Sequence, residues 1–169
     1  LYDTANGRYI LHQGSALNGK LHIRWVIDDL PAERERQYEL HKLEASPLPE
    51  EEGVRVEDIG GALRFAVGGS DFTTYNYGAE VVRPYFYPLQ AAPGVGITRN
   101  WPMVLDAKNE TDDHPHHKGL YTAQGAVNGV DNWGEGEGHG YQVHSEFDHI
   151  FEGPVAGGFV ERLVWTDKD

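Results

Sequence analysis

The chain lacks the pattern that a helix needs in order to bury a face. No window of about 11 residues carries apolar side chains at i, i+3, i+4 and i+7. Glycine, at 21 residues, and proline, at 9, interrupt it at short intervals. Its apolar residues alternate instead. Leu21, Ile23 and Trp25 recur at period two within Lys20 to Ile27, and Leu63, Phe65 and Val67 do so within Ala62 to Val67. Period two places side chains on one face of a strand. Further strands are expected at Tyr9 to Leu11, Val54 to Asp58 and Asp71 to Tyr77; 33–43 reads as a charged strand, with a short helix as the alternative, because Tyr38, Leu40 and Lys42 alternate with polar neighbours. Ala5-Asn6-Gly7, Leu17-Asn18-Gly19, Gly60-Gly61 and Gly68-Gly69 supply the turns. The pattern predicts an all-β chain built as an antiparallel β-sandwich. The Pro-rich acidic stretch 46–53 reads as a linker, with the end of a small β-domain at 1–45 and the sandwich at 54–169.

Charge excludes some partners. A net charge of −13 opposes both the nucleic-acid backbone and an anionic membrane surface, so neither is expected. Hydrophobic residues at 39% and four Trp mark a chain that folds rather than a solvated tail. Zero cysteines exclude disulfides, thiolate ligands and a Cys nucleophile, and leave the compartment open. No apolar run approaches the roughly 20 residues of a membrane span. The chain opens on Leu1 and ends at Asp169 just after the apolar run Val160, Leu163, Val164 and Trp165, which reads as a fragment.

Three segments have the composition of a site. In Arg83-Pro84-Tyr85-Phe86-Tyr87-Pro88 an extended backbone points Arg83, Tyr85 and Tyr87 one way and Phe86 the other, and the prolines suggest a sheet edge. A guanidinium beside two phenols suits a polyol; the alternative is an edge strand guarded by proline. Arg99, after the turn Pro93 to Gly96, could clamp an anionic or hydroxylated ligand, or brace the turn. The densest segment is Asp112-Asp113-His114-Pro115-His116-His117-Lys118-Gly119-Leu120. If it is extended, His114 and His116 share a face, with Asp113 and His117 on the other. His-x-His can chelate a metal given a third ligand, for which His139, His144, Glu135 and Glu137 are candidates. Without metal, an imidazole steadied by Asp113 can exchange a proton near neutral pH; the remaining alternative is a turn held by the histidines. Trp133-Gly134-Glu135-Gly136-Glu137-Gly138-His139-Gly140 is either a lid or a solvated hairpin, and its carboxylates exclude a phosphate cradle.

The order of Val82 to Leu89, Thr98-Arg99, Asp113 to Leu120 and Val127-Asn128-Gly129-Val130-Asp131-Asn132-Trp133 resembles a bacterial family of unknown function, PmoA-like ("methane oxygenase PmoA"), over roughly 54–169. Leu1-Tyr2-Asp3 and Trp25 to Ala32 resemble the small β-domain preceding it in some members. Lys118 stands where Arg is expected in much of that family, which keeps the charge and loses the fork. A weaker similarity to galactose-mutarotase-like proteins rests on His114, His116 and His117 followed by Gly129, Asp131 and Trp133. It implies a supersandwich of which this chain is the N-terminal half, with a carboxylate base in the missing C-terminal half. It also implies a carbohydrate or related polyol as partner. The resulting expectation is sugar hydrolysis, elimination or epimerisation by His114, His116, His117 and Asp113, with Arg83, Tyr85, Tyr87, Arg99, Asn128, Asp131 and Trp133 contacting substrate. The rivals are a non-catalytic sugar-binding module and the His-ligated oxygenase that the family name suggests. No cofactor is expected; a divalent metal, if bound, would sit on His114 and His116 with His139 or His144.

Overall fold

A computed structural model describes residues 1–45, 48 and 53–167. Apart from Leu48 and Gly53, the expected linker 46–53 lies outside the described residues. Every regular element described is a strand. The first five are β1 (Tyr2–Asp3), β2 (Arg8–Tyr9), β3 (Gln13–Leu17), β4 (Lys20–Arg24) and β5 (Tyr38–Glu39). Then come β6 (Val54–Asp58), β7 (Ala62–Val67), β8 (Ser70–Asn76), β9 (Tyr85–Ala92) and β10 (Val95–Gly96). The last five are β11 (Leu120–Tyr121), β12 (Ala126–Val127), β13 (Val130–Asp131), β14 (Tyr141–Phe151) and β15 (Gly158–Thr166). No helix among the described residues is long and apolar enough to cross a membrane.

The main sheet runs β10-β9-β8-β7-β6, with β11 also paired to β9, and its pairings are antiparallel. Val67 pairs with Ser70 across Gly68-Gly69, and both glycines have positive φ, 56° and 76°, as a two-residue hairpin turn requires. The long β14–β15 hairpin packs against this sheet as the second layer. Leu63, Phe65 and Tyr75 form the buried centre, covered by Phe86, Phe147 and Phe159. Ring centroids of Phe159 lie 4.6 Å from Tyr75 and 6.1 Å from Phe65. The chain is therefore an antiparallel β-sandwich. Alternation on β15 turns Phe159, Glu161, Leu163 and Trp165 inward, while Val160, Arg162 and Val164 are exposed.

Strands β1 to β5 pair only among themselves, as β2-β1-β5 and β3-β4. Gln13 ties them to the sandwich. Its buried amide accepts from the backbone N–H of Val155 (3.2 Å) and Ala156 (2.9 Å) and donates to the Glu152 carbonyl (3.3 Å).

Three local expectations are corrected. The strand begun at Lys20 ends at Arg24, leaving Val26 and Ile27 exposed, because no partner extends beyond Gln13. Segment 33–43 forms only Tyr38–Glu39, and Leu40 is exposed, so its alternation has no face to bury. The segment around Arg83 to Pro88 is no sheet edge, since β9 has β8 on one side and β10 and β11 on the other. Pro88 is accommodated by a bulge. Thr73 pairs with Leu89 and Tyr75 with Phe86, so Tyr87 and Pro88 face Thr74 alone and no ladder donor is required from the proline.

Candidate functional site

The histidine segment is a turn rather than a strand. Pro115, whose ring fixes φ, follows His114 at φ 51°, and the His117 N–H donates to the His114 carbonyl at 2.9 Å. The expected His114/His116 face is thereby replaced by a three-ring cluster. His114 and His117 stack at 4.9 Å and 11°, and His116 meets His117 edge-on at 4.4 Å and 75°. Arg99 holds the turn from below. Its Nη2 donates to the carbonyls of Asp113 (2.8 Å) and His114 (2.6 Å), and its Nη1 to Asp113 Oδ1 (3.1 Å), while its guanidinium lies 5.1 Å over Trp101. Asp113 also accepts from Thr111 Oγ1 (2.6 Å) and pairs with His114 Nδ1 (2.9 Å). Those two hydrogen bonds, with Arg99 beside them, hold the Asp113 carboxyl well below the usual carboxylate range. It stays ionised and orients His114.

The glycine-rich stretch is pinned to this turn. Asp131 accepts from the N–H groups of Trp133 (2.8 Å) and Gly134 (3.2 Å), which shapes the loop. Arg83, only 3% exposed, donates to the Gly134 carbonyl at 2.7 Å and approaches Glu135 at 3.5 Å, with its guanidinium 5.5 Å over Tyr121. Lys118 donates to the other Glu135 oxygen at 2.8 Å. Two cations fasten the stretch at Gly134 and Glu135, while Gly136, Glu137 and Gly138 are exposed.

This fastening sets Trp133 beside the histidines. Its ring lies 6.1 Å from His117 at 89°, 6.4 Å from His116 and 6.4 Å from Tyr121. Together with Thr98, Arg99 and Leu120, His117, Tyr121 and Trp133 line an open cleft of about 750 Å³. Burial, and then the neighbouring His117 and His114, push the His116 imidazole below its ordinary value, and its Nε2 is buried without a hydrogen-bond partner. His116 is thus biased toward its neutral form. His117 is the member that lines the cleft.

Other expected site residues are placed elsewhere. Arg83 lies beneath the loop, because Gly134 and Glu135 consume its donors. Tyr87 donates to Asn100 Oδ1 at 2.8 Å, and Tyr85 is half-buried, its phenol pushed up by desolvation. Asn128, at φ 53°, forms the tip of the β12–β13 hairpin with Gly129. His139 Nδ1 contacts the Gly140 carbonyl at 2.9 Å, and His144 Nδ1 contacts Glu161 at 2.6 Å. Glu137 is exposed. Among the described residues no three His, Asp or Glu side chains converge as a metal-ligand set. Tyr121 escaped the sequence reading, since a lone Tyr beyond Gly119 carries no spacing signal. Gly119 was the available clue. At φ 63° a Cβ there would lie 2.1 Å from the Phe86 carbonyl oxygen, so only glycine lets β11 close onto β9 and deliver Tyr121.

Residues 62–169 match the model of a family of unknown function, DUF6807. The chain belongs to this family. The matched span begins at the first residue of β7 and takes in the histidine turn, the glycine-rich stretch and the β14–β15 hairpin; β1 to β6 precede it. No curated protein and no solved structure gives a match.

Proposed function

We propose that this DUF6807 protein acts on a carbohydrate or related polyol bound in the cleft beside Trp133, with the histidine turn supplying acid/base chemistry. One observation carries the reading: the His117 imidazole and two aromatic rings, Tyr121 and Trp133, border the same open cleft. A sugar ring presents C–H faces that pack on aromatic side chains and hydroxyls that need donors and acceptors. Trp133, half exposed, and Tyr121 supply the first, while His117 supplies the second. His117 is the proton-transfer group, His114 stacks on it, and Asp113 orients His114. His116, biased toward its neutral form, braces the pair.

The motif order that resembles PmoA-like and galactose-mutarotase-like proteins supports a sugar as the ligand. The oxygenase reading has less support, because the candidate third ligands His139, His144 and Glu135 already have other partners. The test is a screen of mono- and disaccharides for binding and for hydrolysis, elimination and epimerisation. His117→Gln should lower turnover by about 10²-fold or more with affinity nearly unchanged, since proton transfer matters in the transition state. Trp133→Ala should weaken binding by roughly 1–3 kcal/mol. Sugars that bind without turnover would make the protein a binding module, and failure of every sugar to bind would end the carbohydrate reading.

A further inference from the structure

A second cavity, of about 420 Å³, lies between the two layers of the sandwich, on the other side of Leu120 and Tyr121 from the cleft. Four aromatic rings, Tyr75, Phe86, Tyr121 and Phe159, line it beside Leu120 and Leu163. Its one carboxylate is Glu161, whose side chain is 5% exposed. Glu161 occupies an inward position of β15 between Phe159 and Leu163, where the alternation calls for another apolar residue. Removing an ionised carboxylate from water is costly, and an apolar side chain of similar volume would serve packing at least as well. A buried charge on an apolar face marks a site rather than a stabilising device.

The partners of Glu161 define what it still lacks. Tyr75 donates its hydroxyl to Oε2, and His144 Nδ1 lies 2.6 Å from Oε1. Burial, and then the adjacent Glu161, push the Tyr75 phenol far above its ordinary value, so Tyr75 is a fixed donor to the carboxylate. A carboxylate offers about four acceptor positions, and these two contacts leave about half of them free. Gln142, itself 3% exposed, sits at the same cavity, with its amide donating to the Thr122 carbonyl at 2.9 Å. No Lys or Arg lines the cavity.

We infer that this cavity binds a small organic ammonium compound, its N–H groups donating to Glu161 and its apolar body enclosed by Tyr75, Phe86, Tyr121 and Phe159. Aromatic faces attract a cation through their quadrupole, and a desolvated carboxylate supplies charge-assisted hydrogen bonds. A neutral ligand of the same shape gains neither. Neither His117 nor Trp133 lines this cavity, although Leu120, Tyr121 and Thr122 border both it and the cleft.

The experiment compares benzylammonium with benzyl alcohol, nearly equal in shape and different in charge, by calorimetric titration of the full chain near neutral pH. Benzylammonium should bind about tenfold or more tightly than the alcohol. Intermolecular NOEs from its ring should reach the methyl groups of Leu163, which lines this cavity and not the cleft. Glu161→Gln should bring the two affinities within about twofold while the circular-dichroism spectrum is retained. Should that variant fail to fold, the wild-type comparison and the NOEs decide alone. Equal affinities, no binding of the amine, or NOEs to Trp133 in place of Leu163 would each overturn the inference.

Discussion

Arg83→Met removes a buried cation that fastens the glycine-rich stretch, while keeping most of the apolar stem. The structure gives Arg83 one strong contact, the 2.7 Å bond to the Gly134 carbonyl, one long approach to Glu135 at 3.5 Å, and the face of Tyr121 at 5.5 Å. A hydrogen bond to a charged donor contributes about 1.5–3 kcal/mol, and a desolvated cation–π contact about 1–2 kcal/mol. The full cost of orphaning a buried charge, about 3–5 kcal/mol, does not apply, because Glu135 keeps Lys118 at 2.8 Å. Since such terms are not additive, the expected loss is about 3 kcal/mol. For a chain of this size that lowers Tm by roughly 6–12 °C. Urea denaturation followed by circular dichroism measures the loss, and acrylamide quenching should show Trp133 released. Arg83→Lys, a point charge that cannot fork, should recover only part of the loss. If Arg83→Met lies within about 0.5 kcal/mol of wild type, the range of an ordinary surface change, Arg83 does not clamp the loop.

Gly119→Ala combines a left-handed backbone with a Cβ 2.1 Å from the Phe86 carbonyl oxygen, so it should cost at least about 2 kcal/mol, whereas Gly94→Ala, at φ 77° with open space, should cost about 1 kcal/mol; thermal melts compare them. Gln13→Ala leaves the N–H groups of Val155 and Ala156 without their acceptor, and should destabilise by about 1–3 kcal/mol and raise proteolysis in residues 1–45 ahead of the sandwich. Asp113, whose folded-state value is depressed, stabilises the fold above its unfolded value of about 3.9 and loses that contribution as the pH falls below it; a carboxyl NMR titration should place its midpoint below about 3.9. His116 is depressed likewise, so its contribution is complete above the ordinary value of about 6.5 and is lost as acid charges it; its imidazole resonances should titrate below about 6.5.

The strands of the sandwich were legible where two local signals agreed. Val54 to Asp58 and Ala62 to Val67 carry both alternation and glycine-rich turns, and both strands form over those residues. Alternation without a turn partner was not enough: segment 33–43 has the pattern but little strand, because a strand needs a neighbour to pair with and a face to cover. The histidine turn was legible as a place but not as a shape. Composition singled out His114 to His117, yet Pro115 fits the second position of a turn as well as an extended edge, and the choice rests with Arg99, which binds the carbonyls on one arm of the turn.

The sequence by itself determined the fold class and the neighbourhood of the site, because period-two alternation, turn glycines and clustered imidazoles are properties of adjacent residues. Tertiary structure decided what each residue does. Arg83 is 52 positions from Glu135, yet they meet, which sets its guanidinium against the glycine-rich stretch. Tyr75 and Glu161 are separated by 86 positions, yet they share a proton donor and acceptor inside the sandwich. Contacts over such spans depend on how the strands pair and how the layers stack, and no local period encodes them.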